Sequence, residues 1–596
     1  PPGSFIRKVM DVVPASNKDQ VYEVLLDTMA QNAFEQRFRQ FTGREGESFD
    51  VVKVHADTFQ KGQKKIISME YAPEIQGAFD AIATERSTGF AAAVRDEVTR
   101  RGKSGFVQNP NYSKMTQFLS TGAFNLYLLG NISSGFVNTS SVLLLTYPRL
   151  VARHGFGKAN RVLLSAMQEA LPSFRAKELR DAEGLIEYKW QSDPKYKALL
   201  DGLMEKGQLE HTLAREIYEG ARMDTPDYSS RKVKTLNLLS APFSGTEKFS
   251  RATTAIASYN LAKEAGKSDA AAVEEAVNDV MDIHTSGIAA EGPSLMQNGV
   301  GRVVFTFKSF IWKSATVTGM AMYDSVYNQD KATRDMARRH VLGIYTMSAA
   351  LGGINGLPFY GAGATFVNIL NALNPFDDED EPFNAKEAVR AATNDFLYKG
   401  PLNYATNIEI SNRIGLANGL LFREDPYMVE KNGYFMTAVM QALGPVGSYA
   451  ASLEDAYRLL NEGKYLRFTE ALLPSALSNP VKTVRYIMED GVRTRDGLLL
   501  PKDLNATNTA LQVLGFSPAD ISNMYERRAM TLNFQAKVVA RKKALLDKLY
   551  IADQNGDSAG FAEAQQEIVE LGIKFPGLIN PTTIRRSLKS QRAYQK

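Results

Sequence analysis

Two stretches of the sequence carry no charged residue, Met115 to Pro148 and Val341 to Phe376. Each is long enough to cross a bilayer, which takes about 20 apolar residues as helix. Each is also broken near its middle, the first at Gly130-Asn131-Ile132-Ser133-Ser134-Gly135 and the second at Asn355-Gly356-Leu357-Pro358. Split there, they read as short helices: Phe118–Gly130 and Phe136–Pro148, then Val341–Leu357 and Phe359–Leu373. Asn125, Asn131, Asn138, Asn355, Asn368 and Asn371 are costly in lipid unless paired. Small residues such as Gly352-Gly353 and Gly361-Ala362-Gly363-Ala364 allow close helix contact in a core and in a bilayer alike. The runs are therefore core helices, membrane segments, or segments stored against protein and inserted later. Candidate membrane or inter-subunit positions are Phe118, Leu126, Leu129, Val142 and Leu145 in the first run. In the second they are Ile344, Leu351, Phe359, Phe366 and Ile369.

Elsewhere the apolar spacing is helical. Ser16 to Phe41, Ser244 to Ala262 (opening on the capping-box spacing Ser244 to Glu247) and Asp269 to His284 all step by three and four. Gln535–Tyr550 and Phe561–Leu571 read as an antiparallel pair across Asp553-Gln554-Asn555-Gly556-Asp557. Strand signals are confined to Ser48–His55 and Leu498–Pro501. The expected fold is all-α, an elongated multi-domain helical assembly protein with short kinked helices. Polar and turn-rich breaks suggest regions 1–113, 114–235, 236–376 and 377–596. At 596 residues the chain exceeds one ordinary core.

The composition is that of a folded protein, and a net charge of +4 on this length gives no bulk argument for nucleic-acid binding. There is no cysteine, which removes disulfides, thiolate metal sites and cysteine nucleophiles together. The opening Pro-Pro-Gly-Ser-Phe lacks both methionine and a signal-peptide pattern, and reads as a processed product or part of something longer.

The search for chemistry yields little. Gly102-Lys103-Ser104 has Glu97 where a phosphate loop needs glycine. His55, His154, His211, His284 and His340 stand alone. The turn Asp553–Asp557 has Ser558 and Ala564 at the glycine and glutamate positions of a calcium loop. Glu47-Ser48 and Leu295-Met296-Gln297 lie too far apart to form a murein-cleaving site. No catalytic residue, cofactor or metal is expected within this segment. Gly301 to Tyr327 has the aromatic, cationic and apolar mixture of an interfacial helix, with Arg302, Lys308, Trp312 and Lys313 as candidates. A core helix whose lysines reach solvent fits equally. From Arg527 to the end, 13 Lys/Arg face 6 Asp/Glu. Arg541, Lys542, Lys543, Arg585, Arg586, Lys589 and Arg592 are candidate contacts to DNA or lipid phosphate.

Several segments in order suggest a family. They are Met69-Glu70-Tyr71-Ala72-Pro73-Glu74-Ile75, Asn131 to Asn138 leading to Ala152-Arg153-His154-Gly155-Phe156-Gly157-Lys158, and Gly301-Arg302-Val303-Val304-Phe305-Thr306-Phe307-Lys308. They continue with Asn479-Pro480-Val481-Lys482, Gly515-Phe516-Ser517-Pro518 and Asn580-Pro581-Thr582-Thr583-Ile584-Arg585-Arg586. Together they resemble the C-terminal portion of the large internal virion proteins of short-tailed phages, and helical segments of large polyvalent phage proteins. The resemblance implies a protein held in the capsid core at the portal and ejected with the genome. It implies ring-like homo-oligomers, contact with other internal virion proteins and with phage DNA, and a channel reaching the host periplasm and inner membrane. Two alternatives stay open: a non-catalytic portion of a packaged enzyme (murein hydrolase or virion RNA polymerase), and an injected effector.

Overall fold

The computed structural model describes residues 131–171, 189–206, 231–284, 309–373, 385–414, 445–493, 499–501, 504–579 and 584–586, with isolated positions 74, 77, 92, 96, 97, 208 and 582. Contacts divide the chain into two units, Pro1–Pro110 with Arg222–Val233, and Asn111–Ala221 with Lys234–Lys596. Only scattered positions of the first unit are described, so the architecture below is that of the second. The expected helix Ser16–Phe41 and strand Ser48–His55 lie outside the described residues.

The described chain is all-α. Its one sheet is a two-stranded antiparallel ribbon, β1 (Gly491–Arg493) with β2 (Leu499–Pro501), Val492 facing Leu500. The ribbon includes the second expected strand.

The described part of the first charge-free run begins at Asn131, whose side chain caps the helix by accepting the Ser134 N–H. From there α1 (Ile132–Ser141) passes through a π turn (Val142–Thr146) into α2 (Tyr147–His154). The expected short helix Phe136–Pro148 is thus longer at both ends. Pro148, in the first turn of α2, directly follows the π turn and does not end the helical run. Gly155, at φ 84°, turns the chain into α3 (Phe156–Glu169). Then come α4 (Lys197–Glu205), α5 (Arg231–Glu264) and α6 (Asp269–Ile283).

The capping-box expectation at Ser244 fails. α5 starts at Arg231 and continues through Pro242, and Thr246 uses its hydroxyl on the carbonyls of Pro242 and Phe243 instead of capping. Arg251 to Tyr259 of α5 is buried at every position. A helix buried all round needs small side chains if neighbours are to close on it, and Thr253, Thr254, Ala255, Ala257 and Ser258 supply them. Around it α2, α3, α4 and α6 contribute Leu150, Val162, Leu163, Leu199, Leu203, Val277 and Val280 to one core. Each such side chain contributes roughly 1.5–3 kcal/mol on burial.

Next, α7 (Ser309–Tyr327) and α8 (Lys331–Gly352) form an antiparallel hairpin. Asp330 caps α8 through the N–H groups of Ala332 and Thr333. The second charge-free run breaks where its sequence suggests, in a 3-10 turn (Ile354–Gly356), before resuming as α9 (Tyr360–Leu373). Phe359, at φ 63°, makes the last bend. Short helices follow: α10 (Ala385–Ala392), α11 (Asp395–Lys399), α12 (Pro401–Thr406) and α13 (Ser411–Ile414). Gly353 (φ 61°) and Gly400 (φ 90°) meet backbone to backbone; a Cβ on Gly353 would lie 2.5 Å from Gly400 N and from the Leu397 carbonyl.

Beyond them lie α14 (Pro445–Asn461), α15 (Tyr465–Leu472), α16 (Ser475–Met488) and α17 (Ala506–Val513). The chain closes on α18 (Ala519–Asn555) and α19 (Ser558–Lys574), joined by Gly556 in the left-handed conformation. This is the antiparallel pair expected from sequence, with a small core of Leu545, Leu546, Leu549, Ala564, Ile568 and Leu571.

Candidate functional site

The charge-free runs meet protein through two polar networks. In the first, Asp279 of α6 is 1% exposed and accepts Arg149 Nε at 2.8 Å, Arg153 Nη1 at 2.8 Å and the Ser258 hydroxyl at 2.7 Å. Arg149 also pairs with Asp282, Arg153 with Glu275, and Glu275 with Lys267. Arg149 and Arg153 directly follow the first charge-free run. They fasten α2 to α6. A carboxylate this deep is tolerable only because cations and a hydroxyl share its charge.

Behind it runs a line of buried hydroxyls. The Thr254 hydroxyl lies within hydrogen-bond distance of the Ser250 carbonyl, of the Thr146 hydroxyl at 2.8 Å and of His284 Nε2 at 2.8 Å. Burial, then the positive charges of Arg251 and Lys313, push the His284 pKa down to about 3. His340 of α8 donates a ring N–H to the Leu145 carbonyl in the π turn. Burial, with Arg149 and Arg153 nearby, takes it down to about 4. Both histidines are neutral near pH 7.

The second network holds the break in the other run. Asn355 donates to Ser411 Oγ at 3.1 Å, and Ser411 donates to Glu409. Glu409 accepts Asn403 Nδ2 at 2.9 Å and pairs with Lys399 Nζ at 2.6 Å. Lys399 reaches Glu526 of α18 at 2.6 Å, and Arg390 joins Glu526 to Asp395. Asn368 accepts the Ala385 N–H. Of the asparagines costly to lipid, Asn131, Asn355 and Asn368 are here paired with protein.

The candidate positions separate accordingly. Val142, Leu145 and Ile344 are buried within the chain itself, so neither lipid nor a second subunit reaches them in this conformation. Leu351 and Phe359 are half-buried, and Leu351 packs on the same core as Leu145 and Ile344. Phe366 is 60% exposed. Phe118, Leu126, Leu129, Arg302 and Lys308, and the side chain of Ile369, lie outside the description. Trp312 is exposed and Lys313 half-buried. In the basic tail, Arg541 pairs with Glu567 at 3.0 Å and Lys542 donates to the Leu578 carbonyl at 2.7 Å. These two hold the α18–α19 hairpin together. Lys543, Arg585 and Arg586 are exposed, and Lys589 and Arg592 lie outside the described residues. Among the described residues no cluster of acidic or histidine side chains could hold a metal ion.

Sequence reasoning missed the inside-out character of α7. Its buried seam is Ser314, Thr318 and Ala321, while Trp312, Met320, Tyr323 and Tyr327 are exposed. The signal was legible: the small residues step by four and three on one side, the large ones by eight, three and four on the other. α16 repeats the pattern, burying Thr483, Arg485 and Tyr486 while exposing Leu477, Val484 and Met488. Among the described residues, no helix is long and apolar enough to cross a membrane. Compared with known proteins, the chain matches no family model, no curated protein and no solved structure.

Proposed function

We propose that this chain is a portion of an internal virion protein of a short-tailed phage, held in the capsid core at the portal and ejected with the genome. After ejection it forms part of a channel for DNA across the host envelope, reaching the periplasm and inner membrane. The observation that carries the reading is the inside-out helices. Hydroxyls and ion pairs fill the seams of α7 and α16 while large apolar side chains stay open, the condition of a subunit built to be covered by neighbours. Two further features support it. Without cysteine, no disulfide opposes threading through a tail. Sequence-adjacent helices pair in α7–α8, α14–α15–α16 and α18–α19, and such local contacts re-form quickly after unfolding. Lys543, Arg585 and Arg586 are the exposed cations offered to DNA phosphate.

Fractionation of host cells after genome ejection tests the proposal. The expected result is the protein in the envelope fraction as a high-mass assembly, absent from emptied capsids. Retention in the capsid, or recovery solely as a soluble monomer, overturns it.

A further inference from the structure

The break in the second charge-free run and the base of α18 lie far apart in sequence, and Glu409 touches the supports of both. Its side chain is 3% exposed and accepts the Ser411 hydroxyl, Asn403 Nδ2 at 2.9 Å and Lys399 Nζ at 2.6 Å. Ser411 accepts Asn355 Nδ2 at 3.1 Å, inside the break. Lys399 reaches Glu526 of α18 at 2.6 Å. The polar chain Asn355–Ser411–Glu409–Lys399–Glu526 is therefore continuous, each link at hydrogen-bond distance.

The main chain supplies a second route. The Glu409 N–H donates to the Ser517 carbonyl at 2.9 Å, and the Ala519 N–H donates to the Asn407 carbonyl at 2.8 Å, with Ile408 bridged to Pro518 between them. Residues 407–409 are thus stitched to the point where α18 begins. Asn407 is left-handed, at φ 54°, a conformation kept only where the surroundings hold it. Asn508 of α17 holds it: its Oδ1 accepts Asn407 Nδ2 at 2.8 Å, and its own Nδ2 donates to Asp520 of α18 at 3.0 Å. At the other end of the network Gly353 of the break meets Gly400, the residue after Lys399, with no room for a Cβ on either. A shift of the break therefore presses on the turn that carries Lys399, because a close-packed interior transmits strain.

We propose that Glu409 is a positioning residue that makes the break and the base of α18 one cooperative unit, so that loosening one loosens the other. Lys399 and Glu409 are both buried, and losing either would leave the other charge buried and unpaired. Linked polar groups in a low-dielectric interior polarise one another and are worth more together than singly. Local opening in proteins proceeds by such contiguous units. The unit gives the second charge-free run a mechanical connection to α18. It concerns one folded chain, so its failure leaves the ejection reading untouched, and the failure of that reading leaves it standing.

Amide hydrogen exchange of the full-length chain, read by mass spectrometry, tests the coupling. Asn355→Ala cuts the polar chain at one end and Glu526→Gln at the other. Asn355→Ala should speed exchange in residues 519–527, and Glu526→Gln should speed it in residues 353–357, each by about fivefold or more, the low end of ordinary coupling between sites. The double variant should fall short of the product of the two factors, as linked sites do. Residues 251–259 of α5 should exchange as before, showing that the rest of the fold is intact. Faster exchange only at the altered end, or a double variant that gives the full product, overturns the proposal. Should Glu526→Gln also speed exchange in α5, Ser411→Ala takes its place, cutting the chain at its middle without removing an ion pair. Faster exchange at both 353–357 and 519–527 then supports the proposal, and a change confined to 353–357 overturns it.

Discussion

Val142 to Pro148 and Val341 to Leu373 are equally free of charge, yet the first is buried at nearly every position while the second alternates buried and exposed positions along its helices. The difference lies in the neighbours. The first run is met by α5, α6 and α8, and Gly343 of α8 comes so near that a Cβ there would sit 3.0 Å from Pro148. The second gives its small residues to the seam, with Ser348 buried, and leaves Leu342 67% exposed with Phe366, Val367 and Leu370 also open. A charge-free composition thus tolerates either environment; the placement of small and large side chains around each helix decides between them.

Asp279→Ala should break the enclosure of the first run most severely. It leaves Arg149 and Arg153 facing a lost carboxylate, and breaking a buried pair costs about 3–5 kcal/mol. Urea unfolding should show it as a lower midpoint. The comparison sharpens with one truncation in each run. Leu145→Ala, in a fully buried site, should lose about 2–5 kcal/mol. Phe366→Ala, largely in solvent, should stay within about 0.5 kcal/mol. Equal losses would erase the distinction between the runs.

Acid should have a smaller effect, again centred on the enclosed run. His284 and His340 have folded pKa values below the ordinary 6.5. The unfolded chain therefore binds protons that the folded chain refuses, and stability falls as pH drops from about 6.5 toward 4 and 3. At pH 5 the loss is on the order of 2 kcal/mol per histidine. His284→Gln should flatten this part of a pH series of melting curves; an unchanged slope would show that His284 does not carry it.

Much of the fold was legible in the sequence because helical spacing is a local signal. The turn at Gly556, the break near Asn355 and the all-α class all follow from it. What escaped depends on partners far along the chain. Ser244 to Glu247 has the local pattern of a helix start, but packing carries α5 straight through it, with Gly135 fitted against the Pro242 carbonyl. The π turn cannot be inferred from Val142 to Thr146, since it is supported by His340 and Thr254 on other helices. Arg541 reads as an open cation only while Glu567, on the next helix, is out of view. Of the described candidate positions, Val142, Leu145 and Ile344 are core, while Phe366 and Trp312 are open.

The first turns of α18 hold Glu526 in the grip of Lys399 and Arg390, and its last turns belong to the α19 hairpin. Its 37 residues make a strut about 55 Å long. A tilt of about 5° at the clamped end swings the far tip by about 5 Å. The two ion pairs, with Ile521 and Tyr525 packed on Tyr486, therefore aim a distant tip that they never touch.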